Sequence, residues 1–155
     1  MTLLVAAIAT ACSPLSKESM KMVDELAPFG EIQTSPRNYV KSTVLWGGVI
    51  VRTTNKEDTT IIKVLQTDLD GNKRPVDPDT SKGRFLVRYA GFLDPVIYDK
   101  GREITVVGVV MGSEELPLGD RAYVYPVIAA RKLYLWKRRV VAREHTYPFW
   151  HLRLR

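Results

Sequence analysis

The chain has 155 residues, 45% of them apolar and 26% charged, a balance that fits one globular domain and excludes collagen-like, low-complexity and disordered classes. No run of 18 apolar residues forms a standard transmembrane helix, and the single cysteine, Cys12, excludes an intrachain disulfide and a cysteine-based zinc site. The net charge of +6 is unevenly placed: residues 1–130 carry 15 Lys/Arg against 16 Asp/Glu, whereas residues 131–155 carry 8 Lys/Arg against Glu144 alone. The basicity therefore belongs to the C-terminus and predicts contact with an anionic surface, whether lipid, polyanion or nucleic acid.

Residues 1–11 (MTLLVAAIATA) are small and apolar and end at Cys12-Ser13-Pro14. This is the pattern of a lipoprotein signal, in which small residues fit the peptidase and the cysteine thiol takes a diacylglyceryl group before cleavage. Ala9 stands where Leu is usual, and no Lys or Arg precedes Cys12, although an export signal has a basic n-region. The natural start is therefore expected upstream, or the segment trimmed. The alternative reading is a buried strand or helix end carrying a free thiol.

Residues 12–43 form a tether with one short helix, expected over 16–27, where Ser16 can cap and Met22, Val23 and Leu26 share a face before Pro28 and Gly30. Residues 31–41 are polar and contain Pro36, which predicts a linker. From Val44 the pattern becomes β. Strands are expected over 44–53, 59–67, 84–90, 104–111 and 123–136, with a turn at 55–58 and a long polar loop over 68–82. Pro126 implies a bulge or an edge position. Gly47, Gly48 and Gly108 inside strands favour the tight coiling of a closed sheet. The expected fold is all-β: a small five-stranded antiparallel OB-like barrel over residues 44–136, with a sandwich as the alternative.

The blocks Leu45-Trp46-Gly47-Gly48-Val49-Ile50, Gly83-Arg84-Phe85, Gly91-Phe92-Leu93-Asp94-Pro95, Gly101-Arg102 with Ile104-Thr105-Val106-Val107-Gly108, and Tyr125-Pro126-Val127-Ile128 with Leu135-Trp136 follow in order along the barrel. Together they resemble the Slp family of Gram-negative outer-membrane lipoproteins. The resemblance implies a stress or starvation context, no enzymatic activity, and a lipidated Cys12 bearing diacylglycerol and an N-acyl chain. Ser13 follows the cysteine where Asp would favour inner-membrane retention, so sorting to the outer membrane is implied. No other site residue follows from the resemblance.

Other chemistry finds little support. Asp68-Leu69-Asp70-Gly71-Asn72 invites a calcium loop, but an EF-hand count from Asp68 puts Lys73 where Gly is needed and Asp79 where Glu is needed, so an Asp-Gly turn is expected. His145 and His151 lack the spacing of a zinc pair. Asp94, Asp99, Glu114 and Glu115 are read as turn and surface residues. No cofactor and no metal are expected. Trp46, Trp136, Tyr89, Tyr98, Tyr123 and Tyr125 are read as packing residues before stacking platforms, and Trp46 and Trp136 are expected to pair across the barrel seam.

The segment 137–155 interleaves basic residues with Tyr147, Phe149 and Trp150. Lys137, Arg138, Arg139, Arg143, Arg153 and Arg155 are the candidates for contact with an anionic surface, the alternative being a solvated tail. The expectation is a non-enzymatic lipoprotein on the periplasmic face of the outer membrane, binding or scaffolding, with membrane lipid, lipopolysaccharide or an envelope protein as partner and no nucleic acid. The alternative function is a soluble OB-like nucleic-acid module using the basic tail.

Overall fold

The computed structural model describes residues 28–139 together with Lys21 and Val23. The helix expected over 16–27 falls, but for those two residues, outside this range. Where a linker was expected the chain instead forms a short helix α1 (Phe29–Thr34) and a 3-10 turn (Pro36–Tyr39). Pro28 immediately precedes the first turn of α1, as suits a residue whose φ is pre-set and whose missing N–H costs nothing there. Phe29 and Ile32, three apart, share a face and bury it in the barrel core.

Five strands follow: β1 (Thr43–Asn55), β2 (Thr59–Thr67), β3 (Arg84–Ala90), β4 (Glu103–Leu118) and β5 (Arg121–Leu135). They close into a barrel in the order β1-β2-β3-β5-β4. The fold is the small five-stranded barrel expected, with one difference. β3 and β5 run parallel, through Leu86↔Val127, Val87↔Ile128 and Arg88↔Ala129. After β3 the chain crosses to the far side of β1, so the β4–β5 hairpin returns to β3 in the same direction.

Alternation fills the interior. Val44, Trp46 and Ile50 from β1, Ile62 and Val64 from β2, Phe85 and Val87 from β3, Ile104, Val106 and Val110 from β4 and Ile128 from β5 are buried in one cluster. Phe29, Trp46 and Phe85 meet edge to face, with ring centroids 4.9, 6.1 and 5.1 Å apart. The small radius demands glycine at close approaches: a Cβ on Gly48 would lie 1.9 Å from the Leu65 carbonyl oxygen, and one on Gly108 2.8 Å from that of Ala129. Register shifts lie between Ile50 and Arg52, between Val107 and Gly108 and between Val110 and Gly112, bending the sheet where it must curl.

The expected pairing of Trp46 with Trp136 does not occur. β1 is bordered by β2 and β4, and β4 separates it from β5. Trp46 points into the core, while Trp136 lies past the end of β5, edge to face with Tyr134.

Two features extend beyond the ring. β4 continues seven residues past Met111, and its end pairs with the start of β5 from Ser113↔Pro126 to Leu118↔Arg121, forming a two-stranded arm. The arm bends over the outer face of β2 and β3: Leu116 and Ile61 both pack against the cluster of Leu86, Tyr125 and Val127, the Tyr123 hydroxyl accepts the Arg84 N–H at 2.8 Å, and Glu114 pairs with Arg88. The second feature is the β3–β4 loop, which runs beside the part of β1 that β4 leaves uncovered. Asn55 Nδ2 donates to Leu93 O at 3.2 Å, Thr53 Oγ1 donates to Tyr98 O at 2.6 Å, and the Gly101 N–H bonds Ile50 O at 2.8 Å. The loop thus caps an edge that would otherwise present open hydrogen-bonding groups.

Candidate functional site

The expected site residues divide at Arg139. Cys12, Ser13, Arg143, Arg153 and Arg155, with His145 and His151, lie outside the described residues. Lys137, Arg138 and Arg139 lie inside and run along the surface, held by a network that starts at Trp136. The Trp136 N–H donates to Glu103 O at 2.9 Å, and its indole N–H donates to Thr105 Oγ1 at 2.9 Å. Thr105 Oγ1 in turn donates to Lys73 O at 2.6 Å. Arg74 stacks over the indole, 5.4 Å from its centroid, and donates from Nη2 to Lys137 O at 2.9 Å.

Glu103 is the electrostatic centre of this ledge. Its carboxylate takes Arg74 Nε at 2.6 Å and Arg139 Nε at 3.1 Å. Arg139 also donates to Pro75 O at 3.0 Å, and Arg138 reaches Asp99 at 3.3 Å. Arg102 donates to Ile97 O at 3.0 Å and Trp136 O at 2.8 Å, so two carbonyl dipoles hold its guanidinium. A surface depression of about 230 Å³ lies among Arg102, Glu103 and residues 136–139. Arg74, Arg102 and Glu103 escaped sequence reasoning, since their grouping depends on a loop, a strand start and a tail that no local pattern brings together.

Most of the remaining acidic candidates are occupied, and Glu115 lies exposed on β4. Asp70 Oδ1 accepts the N–H groups of Asn72 and Arg74, closing a turn in which Lys73 adopts φ 66°, and Asp68 pairs with Lys82. Asp94 Oδ1 accepts the Val96 N–H at 2.8 Å. Among the described residues no group of three or more His, Cys, Asp or Glu is placed to hold a metal. The aromatic candidates pack: Trp46 and Tyr125 are buried, and Tyr123 meets Tyr125 edge to face at 4.6 Å. Tyr98 has its pKa raised above the usual 10 by burial first and by neighbouring Tyr89 second, with Arg102 opposing. Outside the barrel, Arg52, Thr54, Ile61, Lys63, Leu86 and Leu116 line a shallow groove of about 200 Å³ beneath the arm.

Comparison with known proteins decides the relationship. Residues 9–154 match the family described as outer membrane lipoprotein Slp. The chain belongs to that family. The outer membrane protein Slp of Escherichia coli K12 is 26% identical over 90% of this chain and 74% of its own length. The lipoprotein YeaY of the same organism, described as uncharacterized, is 30% identical over 68% of this chain and 54% of its own. An uncharacterized protein of Haemophilus influenzae is 36% identical over 68% of this chain and 56% of its own length. The chain thus spans little more than half the length of the latter two. No solved structure matches it. Membership makes this an outer membrane lipoprotein family chain, and the sequence blocks that announced the family map onto the barrel: Leu45 to Ile50 on β1, Gly83 to Phe85 entering β3, Gly91 to Pro95 on the β3–β4 loop.

Proposed function

We propose that the chain is a non-enzymatic lipoprotein held on the periplasmic face of the outer membrane by an acylated Cys12, with its barrel binding or scaffolding other envelope components under stress. The observation that supports this most is the filled interior. Phe29, Trp46, Phe85, Ile62, Ile104 and Ile128 occupy the space in which larger barrels hold a ligand, which leaves partners to be met on the outside. That outside carries a cationic segment laid against the barrel by Glu103 and continuing into the most basic part of the sequence. Phosphate groups of membrane lipid or lipopolysaccharide, or an acidic envelope protein, are the partners this charge suits.

In this reading Cys12 carries diacylglycerol and an N-acyl chain, and Ser13 permits sorting to the outer membrane. One acyl chain anchors marginally, whereas several anchor firmly, so the cationic segment sets what the barrel touches and is not needed to keep it bound. The test is the intact mass and membrane fractionation of the natively expressed protein beside Cys12→Ser. A mature chain beginning at Cys12, heavier by three acyl chains and lost from the outer membrane in the variant, is the expected result. An unmodified chain retaining residues 1–11 sinks the proposal. In that case, tight salt-dependent binding of single-stranded DNA would support the nucleic-acid reading.

A further inference from the structure

The β3–β4 loop, which covers the open edge of β1, exposes three large apolar side chains within six residues. Phe92 is 72% exposed, Val96 81% and Ile97 51%, while Leu93 between them turns inward at 8%. Isolated exposed apolar residues are ordinary, but clusters on one segment mark interaction or membrane sites. This segment is also held firmly. Thr60 Oγ1 accepts the Leu93 N–H at 3.0 Å, Asp94 O accepts the N–H groups of Ile97 and Tyr98 at 3.0 and 2.9 Å, and Gly91 and Gly101 take positive φ values of 112° and 86° at its ends. The ordering entropy is therefore met by backbone hydrogen bonds and one buried leucine, and the apolar tips are presented in advance of any contact.

Charge says what the tips meet. Of the two acidic residues of the loop, Asp99 is paired with Arg138, and Asp94 is turned back onto the Val96 N–H of its own turn. Lys100 is exposed on the loop, Arg102 closes it, and Lys137 and Arg138 lie on the adjoining ledge. With Arg138 spent on Asp99, Lys100, Arg102 and Lys137 remain as cations beside the apolar tips, a combination that matches a bilayer interface, where side chains enter the headgroup boundary and Lys or Arg meet lipid phosphate.

We infer that the β3–β4 loop is a second membrane contact, inserting Phe92, Val96 and Ile97 into an anionic phospholipid surface and fixing which face of the barrel meets it. The inference goes beyond the acyl anchor and does not require it. An acyl group at Cys12 does not by itself say which face of the barrel meets the membrane; the loop does.

The test uses the full chain carrying Cys12→Ser, which isolates loop binding from acylation. It is incubated with vesicles of phosphatidylethanolamine and phosphatidylglycerol and, in parallel, of phosphatidylcholine. Salt-sensitive sedimentation with the anionic vesicles is expected. The combined Phe92→Ser, Val96→Ser and Ile97→Ser variant should bind them at least about tenfold more weakly, with an unchanged melting temperature because these side chains are exposed. The Cys12→Ser chain has no cysteine, so Val96→Cys and Asn38→Cys can each carry a solvent-sensitive fluorophore. The label at 96 should shift to the blue on the vesicles and that at 38 should not. Undiminished binding by the triple variant, equal shifts at both positions, or no binding by the Cys12→Ser chain overturns the inference. None of these results touches the acylation of Cys12, which mass and fractionation decide separately.

Discussion

The two long loops of the barrel solve the same problem in opposite ways. Residues 68–82 join β2 to β3 and turn their charges inward on the protein: Asp70 caps two backbone N–H groups, Asp68 pairs with Lys82, and Arg74 is taken by Glu103. Residues 91–102 join β3 to β4 and use their polar groups to hold a backbone that turns apolar side chains outward. The first loop is a clasp for the C-terminal segment and the second is a platform. The sequence pointed to a turn in the first, as found, and offered no sign of the second, which its exposed apolar side chains single out.

Breaking the platform from beneath should have the largest effect. Leu93→Ala removes the one buried side chain of the loop and is expected to cost about 3 kcal/mol in chemical denaturation, while Phe92→Ala next to it should change stability by no more than about 0.5 kcal/mol. Equal costs would mean that Phe92 is packed in solution. Thr60→Val should follow at about 2 kcal/mol, because it strands the buried Leu93 N–H that the hydroxyl accepts. Amide exchange of Leu93 and Gly91 should accelerate in that variant.

The clasp should give less. Glu103→Gln weakens two guanidinium contacts on partly exposed groups, and about 1 kcal/mol is expected. Its sharper signature is that Trp136 fluorescence becomes sensitive to salt as residues 136–139 loosen. The smallest effect is a pH dependence of the platform. The pKa of Tyr98 is raised in the folded chain, so its neutral form is favoured there. Its contribution is fully present below pH 10 and is lost as pH rises from 10 through the folded value. Tyr98→Phe should flatten that decline in melts taken on the alkaline side, and an unchanged slope would remove Tyr98 as its source.

The strands of the ring were legible because alternation reports which side is buried, and 59–67 and 84–90 coincide with β2 and β3. The arm was not: after Met111 the chain becomes polar and reaches Pro117, which argues against a strand, yet Gly119-Asp120 is a two-residue hairpin turn whose signal lies in the sequence. Phe29 and Ile32 carry the whole burial of α1, too few residues for periodicity to register. The parallel seam had no local signature, since pairing partners depend on the crossover and not on either strand. The cationic segment was visible as composition, but its partner Glu103 opens an apolar strand and gave no hint of a docking role.

That parallel seam governs when the barrel can exist at all. β1 needs β4 as its neighbour, and β3 stays unpaired on one side until Val127, Ile128 and Ala129 reach Leu86, Val87 and Arg88. The ring is therefore completed by its last strand through contacts distant in sequence, a topology that folds in milliseconds to seconds where local contacts would fold in microseconds. The architecture withholds closure until residues 127–129 are in place, so a chain cut short before Val127 keeps every strand of the ring but the one that seals it.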